Sequence, residues 1–433
     1  MLRVLCRIAS AALLVIAVPA TQLAAAGPDY TAGYGDWSSA AGDWSAAAME
    51  DTGNFTLDGL LGGSGEDPGK YASEVDQDFD GDSLLALNLS RRSLALVRSL
   101  GFHVQLKPLR TLNLMLARLR PPVSLHLDAA LAALRKADPR GFYDFNFGYK
   151  LSGAAMASEA CTGVRCYGRE LIGWDKNSCA LAPRVGMVDS AVDLTSPALA
   201  GRRIQLKRLR GAPASAAESE HGTAIAALLA GDPASGFPGL LPDAELYAAD
   251  VFSPDEQGRP VTDAARLVQG LDWVASFNPA VINVSIAGPN GGVLRVAVAQ
   301  LAKKGIAVVA AAGNEGPQAP PQFPAAYPGV IAVTAVDRQM NVYAQANRGA
   351  YVTLAAPGVG IWTPGAGGVG VFREGTSFAA PFATATLAVL RAREPDAPPA
   401  ALLDRLEKRA RDLGDPGDDP VYGWGLLQSL PCS

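Results

Sequence analysis

From about residue 180 onward, short runs of consecutive apolar residues alternate with longer stretches in which apolar positions recur every three or four residues. Arg184 to Asp189, Ala244 to Phe252, Val281 to Ile286, Ile306 to Ala312 and Val330 to Val336 are runs of the first kind, and Thr262 to Phe277 and Gly292 to Lys304 are of the second. Strands apolar on both faces, separated by helices, predict an α/β architecture: a doubly wound, mostly parallel sheet with helices on both faces. Ligands of such sheets gather at the carboxyl ends of the strands, so chemistry is expected there.

Ahead of this block the pattern changes. Leu84 to Leu89 reads as a strand, Ser90 as the cap of a helix running through Leu100, and Gly101 as its stop. Phe102 to Leu109 and Leu112 to Leu119 read as strands. Leu127, Leu131 and Leu134 share one face of a second helix that ends before Pro139. Phe142 to Tyr149 alternates aromatic and polar residues as a single last strand. The β-α-β-β-α-β order predicts a small α+β unit of ferredoxin-like shape over residues 83–150.

Composition adds two further segments and removes several classes of function. Hydrophobic residues make up 49% of the 433 and charged residues 18%, enough for a sizeable core and too apolar for disorder throughout. Only the first residues carry a long uncharged apolar run, which excludes a multi-span membrane protein. Arg3 and Arg7, the apolar stretch from Ile8 to Ala20 and the small residues Ala24 to Ala26 read as a secretory signal over residues 1–26. No lipobox precedes Cys6. Residues 27–82 are rich in Gly, Ser, Ala and Asp, with Tyr34-Gly35-Asp36-Trp37 echoed at Gly42-Asp43-Trp44, and read as a disordered acidic segment. Asp76, Asp78, Asp80 and Gly81 begin like a calcium loop, but its twelfth position is Leu87, where a carboxylate is needed.

The net charge of −5 conceals steps. Residues 27–82 hold thirteen acidic residues and one basic, residues 83–150 hold eleven basic and three acidic, and residues 151–433 hold 23 basic and 26 acidic. The total is too small for a nucleic-acid partner. The basic unit lacks the aromatic signature of RNA-binding sheets. It reads instead as a cap on a mildly acidic partner domain.

Three motifs carry candidate chemistry. Val185-Gly186-Met187-Val188-Asp189 ends a strand in a carboxylate, Glu220-His221-Gly222-Thr223 opens an Ala/Leu-rich helix, and Gly375-Thr376-Ser377-Phe378-Ala379-Ala380-Pro381 leads into another. The chain has three histidines, and His103 and His126 both fall in the small unit. His221 is therefore the one imidazole left beside Ser377 if that unit is removed. An alcohol nucleophile needs a neighbouring base that titrates near neutrality. Asp193 is the fallback for Asp189. For Ser377 the plainer role is a helix cap, and for Asn314 a turn.

The order Asp, His, Ser is that of subtilisin, and differs from those of chymotrypsin and the α/β-hydrolases. These segments resemble the active-site motifs of the subtilisin-like serine peptidases. Ala310-Ala311-Ala312-Gly313-Asn314-Glu315-Gly316-Pro317 resembles that family's oxyanion-hole motif, and Ile282-Asn283-Val284-Ser285 its substrate strand. The likeness spans roughly residues 180–430, through Tyr422-Gly423-Trp424-Gly425. It implies that Ser377 attacks a peptide carbonyl, His221 shuttles the proton and Asp189 orients the imidazole. Asn314 and the Ser377 backbone N–H would meet the oxyanion. Ser285, Ile286, Ala287, Gly288, Ala311, Ala312 and Gly313 would line the substrate. Two residues depart from the family pattern. Ala191 stands where the family usually has Gly after the catalytic Asp, and Ala287 where the substrate strand usually has Gly. The second adds a methyl group beside the substrate backbone and narrows subsite preference.

The resemblance also implies a zymogen. Relatives often carry a ferredoxin-like propeptide that assists folding, inhibits the site and is cut off autocatalytically; residues 83–150 match its shape and position. The cut is expected between about Tyr149 and Ala160, ahead of a peptidase domain over residues 151–433. No cofactor is required, and although relatives often bind structural calcium, no ligand set for it is identifiable. Expected partners are protein or peptide substrates and the chain's own propeptide, with no membrane contact after signal removal. The expected state is a monomer, secreted or periplasmic. Cys161, Cys166, Cys179 and Cys432 form an even set in a secreted chain, which implies disulfides with three connectivities open. Cys161 with Cys166 and Cys179 with Cys432 is the favoured pairing. Two other classes stay in view: a non-enzymatic peptide binder that keeps its prodomain, and an esterase. For the esterase, the G-x-S-x-A context of Ser377 and the residue order are wrong.

Overall fold

The computed structural model describes residues 83–151, 154–156, 167–174, 181–209, 215–255 and 258–430. The expected signal, the acidic segment with its calcium-like spacing, and all five cysteines lie outside the described residues.

The described chain opens with β1 (Leu84–Leu87), α1 (Arg91–Ser99), β2 (His103–Leu109), β3 (Leu114–Arg120), α2 (Leu127–Ala137) and β4 (Phe142–Phe145). The Ser90 hydroxyl accepts the Ser93 N–H and starts α1, as an N-cap serine does. The strands form one antiparallel sheet in the order β2-β3-β1-β4, the ferredoxin-like arrangement. All four residues of β1 are buried because both faces of the sheet are covered. With a side-chain period of two, Leu84 and Ala86 pack with Val97, Leu131 and Leu134 of α1 and α2. Leu85 and Leu87, with Leu109, Leu112, Leu114 and Leu116, pack into the larger part of the protein. Separating the two parts would expose these leucines at about 1.5–3 kcal/mol each.

The expected single strand from Phe142 to Tyr149 is in fact two. β4 ends at Phe145, and β5 (Gly148–Leu151) belongs to a different sheet. The break has a physical cause. The Phe147 carbonyl accepts the Ala264 N–H, and Asn146 Oδ1 accepts the Ala265 N–H. These are first-turn donors of a helix, which have no partner within it. Beyond β5 come β6 (Ala154–Met156) and the short α3 (Tyr167–Leu171).

The main sheet is built from β7 (Arg184–Asp189), β8 (Arg203–Arg208), β9 (Glu245–Asp250), β12 (Val281–Val284), β14 (Ala307–Ala311), β15 (Val330–Val336) and β16 (Leu354–Pro357). Between these strands run α4 (Ala216–Ala230), β10 (Ser253–Pro254), β11 (Pro260–Asp263), α5 (Ala264–Ala275), β13 (Ile286–Ala287) and α6 (Gly292–Lys303). After β16 follow β17 (Ile361–Pro364), β18 (Gly370–Glu374), α7 (Thr376–Arg393) and α8 (Pro399–Arg409). The seven strands are all parallel, in the order β16-β15-β14-β12-β7-β9-β8. The expected doubly wound α/β sheet is therefore what forms. β8 is its exposed edge and carries Arg, Gln and Lys, so it lacks the continuous apolar run that marked its neighbours. The order reverses between β7 and β12, which opens a crevice at their carboxyl ends.

Two small antiparallel sheets accompany the main one. One has the order β10-β11-β5-β13, and the other β17-β18-β6. The expected strand from Val281 to Ile286 divides at Ser285, with β12 in the main sheet and β13 in a small one. Among the described residues no helix is long and apolar enough to cross a membrane.

Candidate active site

Asp189 is the last residue of β7 and is fully buried. Its Oδ1 accepts the Ser190 N–H at 2.7 Å and lies 2.7 Å from Nδ1 of His221. His221 sits one and a half turns into α4, whose start is fixed by a capping box. The Ser215 hydroxyl accepts the Glu218 N–H, and the Glu218 carboxylate accepts the Ser215 N–H. The helix then presses onto the loop after β7. The Ser190 hydroxyl accepts the Gly222 N–H at 3.0 Å, and the Thr223 hydroxyl accepts the Asp193 N–H at 2.8 Å. A methyl group at Gly222 would stand 2.4 Å from the Ala191 carbonyl oxygen, so only glycine permits this approach. Asp193 spends its own carboxylate on the Thr195 N–H and hydroxyl, which removes it as the partner of His221.

Ser377 opens the buried helix α7, and Phe378 lies against the imidazole with ring centroids 5.4 Å apart. Nε2 of His221 is buried and makes no hydrogen bond, and the Ser377 hydroxyl turns to the Ser285 carbonyl at 3.5 Å. Asp189 and His221 are thus bonded. Ser377, the neighbour of Phe378 in sequence, makes no hydrogen bond to the imidazole, and such catalytic bonds are often long or unmade before substrate engages.

Asn314 follows β14. Its Oδ1 accepts both the Thr376 N–H and the Thr376 hydroxyl at 3.0 Å, and that hydroxyl in turn accepts the Gly313 N–H at 3.1 Å. This clamp fixes the amide's orientation and leaves Nδ2 as a buried donor with no partner. A buried polar group left open costs about 1–3 kcal/mol, so it is retained where something is to be bound. The arrangement supplies an alcohol, a base with an oriented tautomer and a preset donor for negative charge, the parts of acyl transfer.

The residues expected to line the substrate are placed as follows. Ile286 and Ala287 pair antiparallel with Leu151 and Lys150 of β5, so the chain itself occupies the strand. Gly288 faces the Tyr149 ring, where a methyl group would come within 2.4 Å of it. Ala311, Ala312 and Gly313 are buried. Ala312 and Gly313 have committed their backbone groups: the Ala312 N–H to Val333, its carbonyl to Tyr351, the Gly313 N–H to Thr376 and its carbonyl to Asn347. They contribute surface rather than hydrogen bonds. Among the described residues no group of three or more His, Cys, Asp or Glu is placed to hold a metal ion.

Comparison with known proteins now adds to this geometry. The model of the subtilase family, Peptidase_S8, matches residues 182–425, more than half the chain. The chain belongs to the subtilase family. Subtilisin E of Bacillus subtilis is 33% identical over 258 residues, which cover 56% of this chain and 64% of that protein. Subtilisin DY of Bacillus licheniformis is 32% identical over 255 residues, covering 56% and 88%. The minor extracellular protease Epr of B. subtilis is 32% identical over 213 residues, covering 49% and 32%. The chain thus spans about a third of Epr and somewhat under two thirds of subtilisin E.

Among solved structures, fervidolysin from Fervidobacterium pennivorans, described as a keratinolytic enzyme related to subtilisin, has a TM-score of 0.69 at 22% identity. The likeness covers 82% of this subtilase and 61% of fervidolysin, so the shared fold extends beyond the matched domain. A serine-to-alanine mutant of the protease domain of PatA has a TM-score of 0.51 at 26% identity, covering 57% and 94%. Asp189, His221, Ser285 to Gly288, Ala311 to Asn314 and Ser377 all fall within the subtilase match.

Three contributors had no role in the reading from sequence: Thr376, Ser190 and Tyr149. Thr376 stood in plain sight between Gly375 and Ser377, and its hydroxyl was the available signal. Ser190 follows the aspartate directly. Tyr149 gave no sign that its side chain would be buried against Gly288.

Proposed function

We propose that this chain is a secreted serine endopeptidase, made as a precursor that cuts and is then held by its own N-terminal unit. The observation that carries the reading is Asp189 bonded to His221, whose ring lies against Phe378 next to Ser377 in sequence, with Asn314 Nδ2 left free. His221 Nε2 takes the Ser377 proton as the hydroxyl oxygen attacks a peptide carbonyl carbon, and the carbonyl oxygen becomes an oxyanion. Asn314 Nδ2 and the backbone N–H of Ser377, at a helix start, meet that charge. Loss of one such donor typically costs about 10²–10³ in turnover. The imidazolium, stabilised by Asp189, gives its proton to the leaving amine. Water then cleaves the acyl-enzyme along the same route. These groups suffice for hydrolysis, so no step is assigned to a cofactor.

The precursor reading is supported by how the chain pairs with its own strands. β5 adds as a strand between β11 and β13, a peptide-recognition mode in which main-chain hydrogen bonds supply affinity. β6 pairs with β18 next to α7. The cut is expected between about Tyr149 and Ala160, and N-terminal sequencing of the matured protein tests this. A mature chain beginning within that stretch is expected, and one beginning elsewhere contradicts the proposal.

After the cut, residues 83–150 would stay as an inhibitor. Asp144 Oδ2 accepts the Gly292 N–H at 2.5 Å and caps α6, whose own N-cap Gly291 has no side chain to do so. Asp272 Oδ1 accepts the Leu112 N–H at 2.9 Å. Burial raises the pKa of Asp144 and Asp272, and pushes Asp263, which pairs with Gly148 of β5, up to about 6. Arg118 and Arg266 near Asp263 oppose that rise only in part. A carboxyl group whose docked pKa exceeds its free value favours docking when protonated. The contribution is full below the free value and lost as pH rises through about 6. Gel filtration of the cut complex should show it intact at acidic pH and separating more readily above neutrality. Equal or tighter association at the higher pH would refute the link.

Secretion and a monomeric state are part of the proposal. Secretion rests on the signal-like leader and on relatives such as Epr, named as extracellular. The disulfides Cys161–Cys166 and Cys179–Cys432 belong to it on sequence grounds.

A further inference from the structure

One buried polar chain remains after the groups above have been given their roles. Pro381 lies inside α7 and has no N–H, so the carbonyl four residues earlier loses its helical partner. That carbonyl belongs to Ser377. The Ser285 hydroxyl fills the gap by donating to it at 3.2 Å. Having used its proton, the same oxygen accepts from Asn283 Nδ2 at 2.9 Å, and Asn283 Oδ1 accepts from the Thr384 hydroxyl at 2.9 Å. Asn283, Ser285, Ser377 and Thr384 are all fully buried. Thr384 stands two turns from Ser377 along α7, while Asn283 lies in β12 and Ser285 is the break between β12 and β13.

We infer that Asn283 and Thr384 are positioning residues: through the Ser285 hydroxyl they lock the nucleophile's backbone to the first residue of the substrate strand. This rests on the peptidase reading above. The direction of the chain is fixed, since each hydroxyl has one proton to give and Asn283 offers its amide to one side and its carbonyl to the other. In a low-dielectric interior every member must be satisfied, and removing one loosens the rest. Ser377 is held twice by Ser285, once at its carbonyl and once at its hydroxyl, so the lock sets where the attacking oxygen stands relative to a bound peptide. Proline at 381 makes this connection necessary. An N–H there would satisfy Ser377 within the helix and release Ser285.

The test uses the full chain, with Thr384→Val, Thr384→Ser and Pro381→Ala beside wild type. Measured are kcat and KM on a chromogenic peptide, the rate of fluorophosphonate labelling and Tm. Thr384→Val keeps the shape and loses the proton, and should lower kcat roughly tenfold with KM within about twofold, as small misplacements of reacting groups do. Thr384→Ser should restore kcat. Pro381→Ala should lower kcat and labelling while Tm holds or rises, a combination that a purely structural role does not produce. If Thr384→Val does not accumulate, Pro381→Ala decides alone. Wild-type kcat in either Thr384→Val or Pro381→Ala, with the wild type active, overturns the lock. A wild type inert to both probe and peptide overturns the peptidase reading with it.

Discussion

Replacing Ser377 by alanine is expected to lower turnover on a peptide substrate by about 10⁶, the scale on which a triad fails when its nucleophile is lost. The oxygen removed is the atom that forms the acyl bond, and no other hydroxyl replaces it. The Ser285 hydroxyl is committed to the Ser377 carbonyl, and that of Thr376 to Asn314. The fold should survive, because Ser377 Oγ makes one long hydrogen bond of 3.5 Å and an alanine fits its buried place. The same variant should remain one uncut precursor, and intact mass after expression reads this directly. A Ser377→Ala chain that matures in a host lacking proteases would show that cleavage comes from elsewhere.

The second large effect falls on Asp189. Asp189→Asn preserves volume but presents an amide to His221 Nδ1, and an amide that donates there favours the wrong tautomer. A loss of about 10⁴ in kcat is expected, with KM little changed. The loss should shrink at high pH, where hydroxide takes over part of the base's work. Asp193 does not substitute, because its carboxylate holds Thr195. A loss of only a few-fold would mean that the 2.7 Å contact with His221 is structural rather than catalytic.

Much of this site was legible in the sequence, for a physical reason. Catalytic groups on an α/β sheet stand at strand ends and helix starts, and those junctions are punctuated by glycine, small residues and changes of period. Asp189 closes an apolar run, His221 precedes a glycine that must pass a neighbouring carbonyl, and Ser377 opens a helix. The contacts that join these groups were less legible. Thr384 meets Asn283 across 101 residues and Ser285 meets Ser377 across 92, and no local pattern encodes a separation of that kind. The strand expected from Phe142 to Tyr149 failed at Asn146 because the partner that breaks it, the start of α5, lies more than a hundred residues ahead. β8 was passed over because an edge strand can be polar on its open side.

The central claim is that Ser377 becomes a nucleophile through His221. Treat the matured protein with a fluorophosphonate probe and map the adduct by peptide mass spectrometry, with and without His221→Ala. Labelling confined to Ser377 in the wild type, and at least a hundredfold slower without the imidazole, on the order expected for a lost general base, is the result predicted here. An unlabelled Ser377 in protein free of residues 83–150, or labelling indifferent to His221, would contradict it.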